Sequence, residues 1–342
     1  MFEPKYTITN QLLANIKKIS QIVEILNNRR FPQVVLFELE RIAREVSAHA
    51  STSIEGNPLP LTDVKQLLKQ APAHIRDTQR EVLNYNQALM MLNDQLKTGR
   101  HILDESLILK IHRQVTTGVM LESSSGVIRT APVFVRDPSI GQTVYWPPDQ
   151  QDVPNLLGDL IEFIATQQGT IDALILSGIF HKQFVLIHPF IDGNGRTVRL
   201  ATKVLLAGLG LNTFQLFSFE RYYNNNVTKY FSLVGERGSY YDLKVDFTVW
   251  LEYFTDGIID ELIRVKTELD NTSQAPASGL KEYHHIIMNY IRAHGSINDA
   301  FYATLVKRAK STRAADLRYL VDQKMITAHG KGKATYYKLK QN

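Results

Sequence analysis

The chain has 342 residues, of which 44% are hydrophobic and 21% are charged, so it can bury the cores of two or three ordinary globular domains. It contains no cysteine, which excludes disulfides, a thiol nucleophile and a thiolate zinc site, and which fits a cytoplasmic location. The net charge is only +5, but residues 281–342 hold 12 Lys and Arg against 4 Asp and Glu, so the basic character lies near the C-terminus.

Membrane insertion and secretion are not indicated by the hydropathy pattern. The first residues, MFEPKYTITNQ, lack the basic segment and apolar run of a secretory signal. The most apolar segment, Ile171–Ile187, is interrupted by His181, Lys182 and Gln183 and falls short of the roughly 18 clean residues of a membrane span. We therefore expect a cytoplasmic protein with no membrane partner.

Apolar residues recur at spacings of three and four along most of the chain, which predicts a mainly α-helical fold. The second helix should end at Glu55, because Gly56 suits the position after a helix end and Pro58 cannot continue the helix. The pattern changes to that of a short β-hairpin at residues 132–146. We predict helices over residues 11–28, 33–53, 61–68, 76–96, 104–115, 153–166, 171–187, 197–206, 222–234 and 247–269.

The C-terminal part has a different organisation. Residues 271–279 are small, polar and proline-containing, which is typical of a linker. Three helices and two short strands follow within residues 280–342, and this order predicts a winged helix-turn-helix domain. The helices are expected over residues 281–293, 298–307 and 311–323, and the strands over 326–329 and 335–340.

This basic domain supports a competing class of function, a DNA-binding regulator. Arg313, Arg318, Lys331 and Lys333 could contact DNA phosphates through the third helix and the wing. Such modules also serve as protein-contact or dimerisation domains, and a surplus of lysine often only solvates a surface. The sequence leaves these alternatives open.

The segment from His188 to Arg199, HPFIDGNGRTVR, concentrates polar chemistry between two predicted helices. Proline and glycine break the helix here, and the amides that open the next helix form a cradle for an anion, which Gly193 and Gly195 let a ligand approach. Such residues singly are most often a capped helix start, but their combination at this spacing is not. The segment therefore predicts a phosphate site.

Four side chains of this segment add the chemistry of a reaction site. His188 is a natural proton acceptor near neutral pH, and Asp192 offers the hard oxygen ligands that Mg²⁺ prefers. Arg196 and Arg199 are three residues apart, so we expect them to face one ligand. A P-loop is excluded because GxxxxGK[ST] is absent, and a zinc hydrolase is disfavoured because the chain lacks HExxH.

This segment resembles the signature of the Fic family, HPFx(D/E)GNGRxxR, at every specified position, and the similarity extends over most of residues 33–254. Fic proteins are helical enzymes, and most of them transfer AMP from ATP to a Ser, Thr or Tyr hydroxyl of a target protein. The resemblance implies ATP and Mg²⁺, a protein substrate, an N-terminal helical region over 1–110 and a Fic catalytic core over 111–270. Its own chain as target and a homodimer as assembly remain open.

The resemblance also implies roles for the signature residues. His188 would deprotonate the target hydroxyl, Phe190 would anchor the loop in the core, and Asp192 would hold Mg²⁺ against the α- and β-phosphates. Relatives that transfer the γ-phosphate carry lysine in place of Gly195, so AMP transfer is favoured. The implied nucleotide contacts are Gly193, Asn194 and Gly195 at the α-phosphate, Arg196 at the β- and γ-phosphates, Arg199 at the γ-phosphate, and Asn226 and Tyr230 near the base.

Two further segments resemble parts of the family. Ser51–Gly56, STSIEG, is similar to the inhibitory motif (S/T)xxxE(G/N), which implies that Ser51 and Glu55 lie on one face of an inhibitory helix at about residues 33–55 and that Glu55 pairs with Arg199. In some relatives the same glutamate positions water for removing AMP, and it could also be simply exposed. Residues 132–146 resemble the flap that holds a target segment, or are a plain surface hairpin.

Overall fold

The computed structural model describes residues 2–28, 33–97, 102–137, 141–207, 217–273, 281–323 and 325–340. The chain divides into two compact units, one of residues 1–30 and 39–269 and the other of residues 31–38 and 270–342. The predicted mainly α-helical class is confirmed. Within the described ranges, no helix combines the length and the apolar character needed to cross a membrane.

Helices form most of the chain up to residue 273, and most of them lie within a few residues of their predicted positions. In chain order they are α1 (Asn10–Asn27), α2 (Gln33–Ile54), α3 (Leu61–Lys69), α4 (Asp77–Lys97), α5 (Glu105–Thr116), α6 (Val153–Gln167), α7 (Ala173–Ile187), α8 (Asn194–Ala207), α9 (Glu220–Asn225), α10 (Val227–Val234) and α11 (Thr248–Ser273).

The central helix of the first unit is α7. The Asp172 side chain caps its N-terminus by accepting a hydrogen bond from the Leu174 amide at 2.8 Å. Nearly all of its side chains are buried, among them Phe180 and Phe184, as expected for a helix that is apolar nearly all round. It packs against α6 and α8. The core thereby fixes both ends of the short loop between α7 and α8.

The predicted hairpin consists of β1 (Val135–Asp137) and β2 (Gln142–Trp146), which pair antiparallel with Arg136 opposite Thr143. Its turn, residues 138–140, lies outside the described residues. A third strand, β3 (Gly238–Ser239), pairs parallel with β2. The sequence did not predict β3, because a pairing of two residues leaves no alternation to detect.

Three predicted boundaries in the first unit are wrong. The helix expected over 222–234 is two helices, because Asn226 leaves the helical conformation and its side chain accepts from the Lys229 amide at 3.0 Å, capping α10. Helix α8 begins at Asn194, three residues before the predicted start. Helix α11 continues to Ser273, into the predicted linker, of which residues 274–279 lie outside the described residues.

The second unit has the predicted order of three helices followed by an antiparallel pair of strands, and its assignment as a winged helix stays a prediction. Buried Ile287, Tyr302 and Leu320 lie in its core. Its elements are α12 (Glu282–His294), α13 (Asp299–Leu305), α14 (Lys310–Asp322), β4 (Ile326–His329) and β5 (Tyr336–Leu339).

Arg313, one of the two arginines of α14 expected to contact DNA, is already engaged within this unit. Arg313 donates to both carboxylate oxygens of Asp299, at 2.9 and 3.0 Å, and to the Arg308 carbonyl at 2.7 Å. Such a bidentate pair fixes the guanidinium. Arg318 and Lys331 are exposed, and the side chain of Lys333 lies outside the described residues.

Candidate active site

His188 ends α7 in the left-handed backbone conformation, with a φ of 51°, and directs the chain into the loop of residues 189–193. Its Nδ1 lies 3.2 Å from the Val185 carbonyl oxygen. A carbonyl only accepts hydrogen bonds, so Nδ1 carries the proton and Nε2 is left as a proton acceptor. Burial lowers the pKa of His188 below its ordinary value, which keeps the ring neutral near pH 7.

Phe190 and Asn194 close the loop onto the start of α8. The Phe190 amide donates to Asn194 Oδ1 at 2.9 Å, and Asn194 Nδ2 donates to the Phe190 carbonyl at 2.8 Å. The Phe190 ring is fully buried, which is the anchoring position that the resemblance implies. The described contacts give Asn194 a structural role, and its contact with the α-phosphate stays a prediction.

Arg129, which the sequence reasoning did not single out, fixes the main chain where the loop of residues 189–193 begins. Its Nε donates to the His188 carbonyl at 2.8 Å, and its other nitrogens donate to the carbonyls of Ala131 and Pro148 at 3.2 and 2.5 Å. Its amide donates to the Pro189 carbonyl at 2.9 Å. The available signal was a lone arginine in the apolar stretch VIRTAPVFV, since such a charge is buried only when it has partners.

His112 on α5 holds the other side of the same loop, and the sequence reasoning missed it too. Its Nε2 donates to the Asp192 carbonyl at 2.9 Å, its Nδ1 accepts from the Gly126 amide at 2.8 Å, and its ring stacks on Phe190 at 3.7 Å. Burial lowers the pKa of His112 to about 4, so the neutral ring is the form that makes these bonds. A histidine on the apolar face of a predicted helix was the signal for it.

Arg199 is fully buried and contacts both residues of the predicted inhibitory motif. Its Nε donates to Ser51 Oγ at 2.8 Å, and its Nη2 donates to the Ser51 carbonyl at 2.9 Å and to Glu55 Oε1 at 2.7 Å. Burial alone would lower the pKa of Arg199, but Glu55, Tyr230 and Tyr85 together outweigh it and raise that pKa above its usual value. The predicted pairing of Glu55 with Arg199 is therefore present.

Gly195 makes room for the Glu55 carboxylate at the N-terminus of α8. A Cβ added at Gly195 would clash with Glu55 Oε1 and would lie 3.0 Å from Arg199 Nη1. The open amides of a helix N-terminus attract an anion. The carboxylate of α2 thus lies in the cradle that the sequence predicted for a phosphate.

Buried polar contacts also hold α2 against the core near Ser47. Ser47 Oγ lies 3.3 Å from both Lys203 Nζ and Glu220 Oε2. Lys203 and Glu220 form a buried ion pair at 3.1 Å, and Glu220 also accepts from the Tyr85 hydroxyl at 2.6 Å. Ser47 is the member of this buried network that belongs to α2, so the network brings α2 against α8 and α9 at this point.

Arg196 has a different set of protein partners from Arg199, and the expectation that both face one ligand stays a prediction. Its Nη2 donates to Asp192 Oδ2 at 3.0 Å, and its Nη1 lies 3.1 Å from Glu81 Oε1, an ion pair without the alignment of a hydrogen bond. Glu81 belongs to α4 and was not predicted as a site residue. The two signature arginines therefore turn to carboxylates of different elements.

The residues of this site fit a magnesium nucleotide. Arg199 Nη1 and Arg196 Nε are buried and make no hydrogen bond to the described residues, a costly state that phosphate oxygens would relieve. The Asp192 side chain is 61% exposed. Among the described residues no group of three or more His, Asp or Glu side chains is placed to hold a metal ion. Asp192 would be the protein carboxylate that holds Mg²⁺ together with substrate phosphates.

The structure places the two predicted base-pocket residues in unlike surroundings. Asn226 is the exposed cap of α10. Tyr230 is buried, stacks on Tyr223 at 4.5 Å and hydrogen-bonds His181 at 3.0 Å, and Arg199 is close enough to act on its pKa. Contact of either residue with a nucleotide base stays a prediction.

Comparison with known proteins gives a consistent result. Residues 102–206 match the model of the Fic/DOC family. The chain is 32% identical over 182 residues to protein adenylyltransferase fic-1 of Caenorhabditis elegans, covering 50% of this chain and 34% of that protein. It is 27% identical over 220 residues to protein adenylyltransferase Fic of Aedes aegypti, covering 59% and 42%. The chain thus spans less than half the length of these relatives.

Solved structures share the fold. A Fic family protein from Desulfovibrio desulfuricans G20 aligns with a TM-score of 0.65 at 20% identity, covering 100% of this chain and 99% of that one. A part of Fic-1 from C. elegans aligns with a TM-score of 0.56 at 21% identity, covering 78% and 75%. The fold described above is therefore the helical Fic fold.

Proposed function

Because the chain carries a Fic/DOC-family domain, we propose that it is a protein adenylyltransferase that transfers AMP from Mg-ATP to a hydroxyl side chain of a target protein. One observation carries the proposal: a short loop connects His188 to the buried Arg196 and Arg199. Arg129 holds the main chain at one end of this loop, and His112 holds it at the other. The base, the phosphate cradle and the cations of the reaction lie within twelve residues.

In the proposed reaction, His188 Nε2 accepts the proton of the target hydroxyl while the hydroxyl oxygen attacks the α-phosphorus. The bond from the α-phosphorus to the bridging oxygen breaks, and pyrophosphate leaves. The amides of Gly193 and Gly195 and the side chain of Asn194 face the charge on the α-phosphate, and Arg196 and Arg199 hold the departing phosphates. Asp192 would hold Mg²⁺, which neutralises phosphate charge when bound.

We also propose that Glu55 inhibits this reaction. Its carboxylate is bonded to Arg199 and lies over Gly195, so it takes both the cation and the space that the γ-phosphate needs. Arg199 is fully buried and Glu55 is 29% exposed, which makes the pair stronger than a surface salt bridge worth under about 1 kcal/mol. A nucleotide must displace Glu55 to adopt its productive pose.

Incubation of the wild type, Glu55→Gly and His188→Ala with α-labelled ATP in a lysate tests both parts. We expect weak labelling by the wild type, at least about tenfold more by Glu55→Gly, and none by His188→Ala. A labelled band at 38.9 kDa would indicate self-modification. Equal labelling by His188→Ala and Glu55→Gly would contradict the transferase proposal, and equal labelling by Glu55→Gly and the wild type would contradict the inhibition.

A second candidate is the reverse reaction, in which Glu55 orients water to remove AMP from a modified target. The observation that favours it is that the Glu55 carboxylate is partly exposed beside Arg199. A target labelled beforehand by Glu55→Gly provides the test. Release of AMP by the wild type but not by Glu55→Gly supports removal, and no release by the wild type contradicts it.

Contact with DNA through residues 280–342 remains a separate proposal, supported by the charge surplus and by the exposed Arg318 and Lys331. A salt-dependent gel shift with the whole chain tests it, with Arg318→Glu and Lys331→Glu together as the matched variant. We expect the shift to weaken as salt rises and to be lost in the double variant. The absence of a shift at low salt would exclude contact with DNA.

A further inference from the structure

Glu81, near the start of α4, contacts two residues that serve different parts of the site. Its Oε1 lies 3.1 Å from Arg196 Nη1, and its Oε2 accepts a hydrogen bond from Asn57 Nδ2 at 2.7 Å. Asn57 lies two residues after Glu55, just beyond the end of α2. A single carboxylate therefore joins the segment that carries Glu55 to the first signature arginine.

Asn57 attaches the end of α2 to α4 through its side-chain amide nitrogen. Besides its bond to Glu81, Nδ2 donates to the Thr78 carbonyl at 2.8 Å, and Oδ1 accepts from the Leu59 amide at 3.2 Å. Its own amide donates to the Thr52 carbonyl at 3.1 Å. The side chain is buried, so these bonds are costly to lose. They determine where the preceding turn can place its residues.

Only Gly56 separates Asn57 from Glu55, so the contacts that fix Asn57 also restrict the position of Glu55. Gly56 has a φ of 92°, a conformation that other residues rarely adopt, so the chain reverses within one residue. The Glu55 carboxylate reaches Arg199 from a helix end that Asn57 holds on one side and the Ser51 contacts hold on the other. Loss of the Asn57 contacts should free this end of α2.

Glu81 itself stands on a rigid support. Val82, Tyr85 and Leu89 of α4 are buried in the main core, so the position of the carboxylate does not depend on α2. Arg196 is 2% exposed and needs a compensating negative charge. If Asp192 turns to Mg²⁺, as its predicted role requires, Glu81 is the described ion-pair partner that still orients the Arg196 guanidinium.

We propose that Glu81 is a positioning residue for Arg196 in the nucleotide site, and that Asn57, bound to the same carboxylate, is the latch that holds Glu55 in its inhibitory place. This inference rests on the proposed AMP transfer and deepens it. It assigns opposite effects to the two residues: Glu81 supports nucleotide binding in the active state, and Asn57 restrains activation.

The kinetic test compares Glu81→Gln and Asn57→Ala in the Glu55→Gly background. Glutamine keeps an acceptor for Asn57 but removes the ion pair with Arg196, so we expect the KM for ATP to rise about tenfold with a smaller change in kcat. Asn57→Ala should leave both constants unchanged there, because no inhibitory carboxylate remains. Glu105→Gln, at an exposed position in the first turn of α5, is the matched control. An unchanged KM in Glu81→Gln would overturn the positioning role.

With Glu55 present, Asn57→Ala should raise labelling several-fold over the wild type. Hydrogen exchange provides a readout that needs no transfer activity: amides of residues 51–55 should exchange faster in Asn57→Ala, while those of α7 stay protected and show that the core is folded. Unchanged exchange at 51–55 would overturn the latch.

Calorimetric ATP binding separates a failure of this inference from a failure of the proposed function. If Glu55→Gly labels nothing, adenylyl transfer fails as the function, yet the effect of Glu81→Gln on nucleotide affinity is still measurable in that background. A Kd for ATP that is about tenfold higher supports the positioning of Arg196 by Glu81, and an unchanged Kd contradicts it.

Discussion

The loop of residues 189–193 and the two arginines of α8 are neighbours in the chain, but they are held by different kinds of contact. Arg129 and His112 hold the loop at its main-chain carbonyls, and no nucleotide contact has to replace those bonds. Arg199 and Arg196 are held by carboxylates, which carry the same sign of charge as the phosphates that would replace them in the proposed reaction.

This difference indicates that the loop and the arginines of this segment have separate roles. His188, the proposed base, directly precedes the loop, and the contacts of the loop are made within the protein, which is the preorganisation that the proposed catalysis requires. The arginines have their cationic groups occupied by Glu55, Asp192 and Glu81. We infer that the fold prepares the chemistry in advance and controls access at the arginines.

Among the substitutions that test this comparison, we expect Arg129→Ala to have the largest effect on activity. Arg129→Ala removes the donors to the His188 and Pro148 carbonyls, so we expect kcat in the Glu55→Gly background to fall about a hundredfold, because the base is misplaced. ATP affinity should not change, since the described contacts of Arg129 include neither Arg196 nor Arg199. Arg129→Lys keeps the charge without the planar set of donors and should recover little. Weaker ATP binding with an unchanged kcat would contradict these separate roles.

His112→Phe removes the ring nitrogens that hydrogen-bond the loop and Gly126, and it keeps a ring that can stack on Phe190. Two hydrogen bonds are lost, and the Gly126 amide is left buried without an acceptor. We expect kcat to fall about tenfold and the free energy of unfolding to fall by about 1–3 kcal/mol, measured by urea denaturation. A loss of stability with full kcat would show that His112 supports the fold and not the loop.

On the arginine side, Ser51→Ala should act in the opposite direction and more weakly. It removes one of the three hydrogen bonds that hold Arg199, while the Ser51 carbonyl and Glu55 still bind its Nη2. We expect labelling to rise about fivefold over the wild type, less than in Glu55→Gly. A decrease in labelling would mean that Ser51 holds Arg199 for the nucleotide and not for inhibition.

The smallest effect concerns pH. Burial lowers the pKa of His188 below its ordinary value, so the base form predominates at pH 7. In Glu55→Gly, kcat/KM should therefore change little from pH 7 to 8 and fall as the pH drops through the lowered pKa. A fall already at pH 7 would mean that the ring is not buried as a neutral base.

Much of the fold and part of the site could be predicted because the signals are local. Helix α7 and the hairpin follow from periodicity within one segment, and the signature chemistry lies within twelve residues. Glu55 could be paired with Arg199 only because a resemblance supplied the partner. Asn226 shows the limit of periodicity: the apolar spacing continues through it, but its side chain caps a new helix.

Residues whose importance depends on a distant partner were not predictable in the same way. Arg129, His112 and Glu81 carry no motif, and each acts on the signature from another part of the chain. Arg313 shows the opposite case. It looked suited to a DNA phosphate in a basic helix, but the fold brings Asp299 to its guanidinium.

The sequence by itself determined the helical class, the order of the elements and the reactive groups between His188 and Arg199, because these depend on side chains near one another along the chain. Only the tertiary structure decided that Asp192 and Glu81 meet Arg196 and which nitrogen of His188 carries the proton. It also revealed that Asn57 and Arg196 share Glu81. These properties arise from contacts between separate elements, where burial makes every charge and hydrogen-bonding group depend on the partner that packing provides.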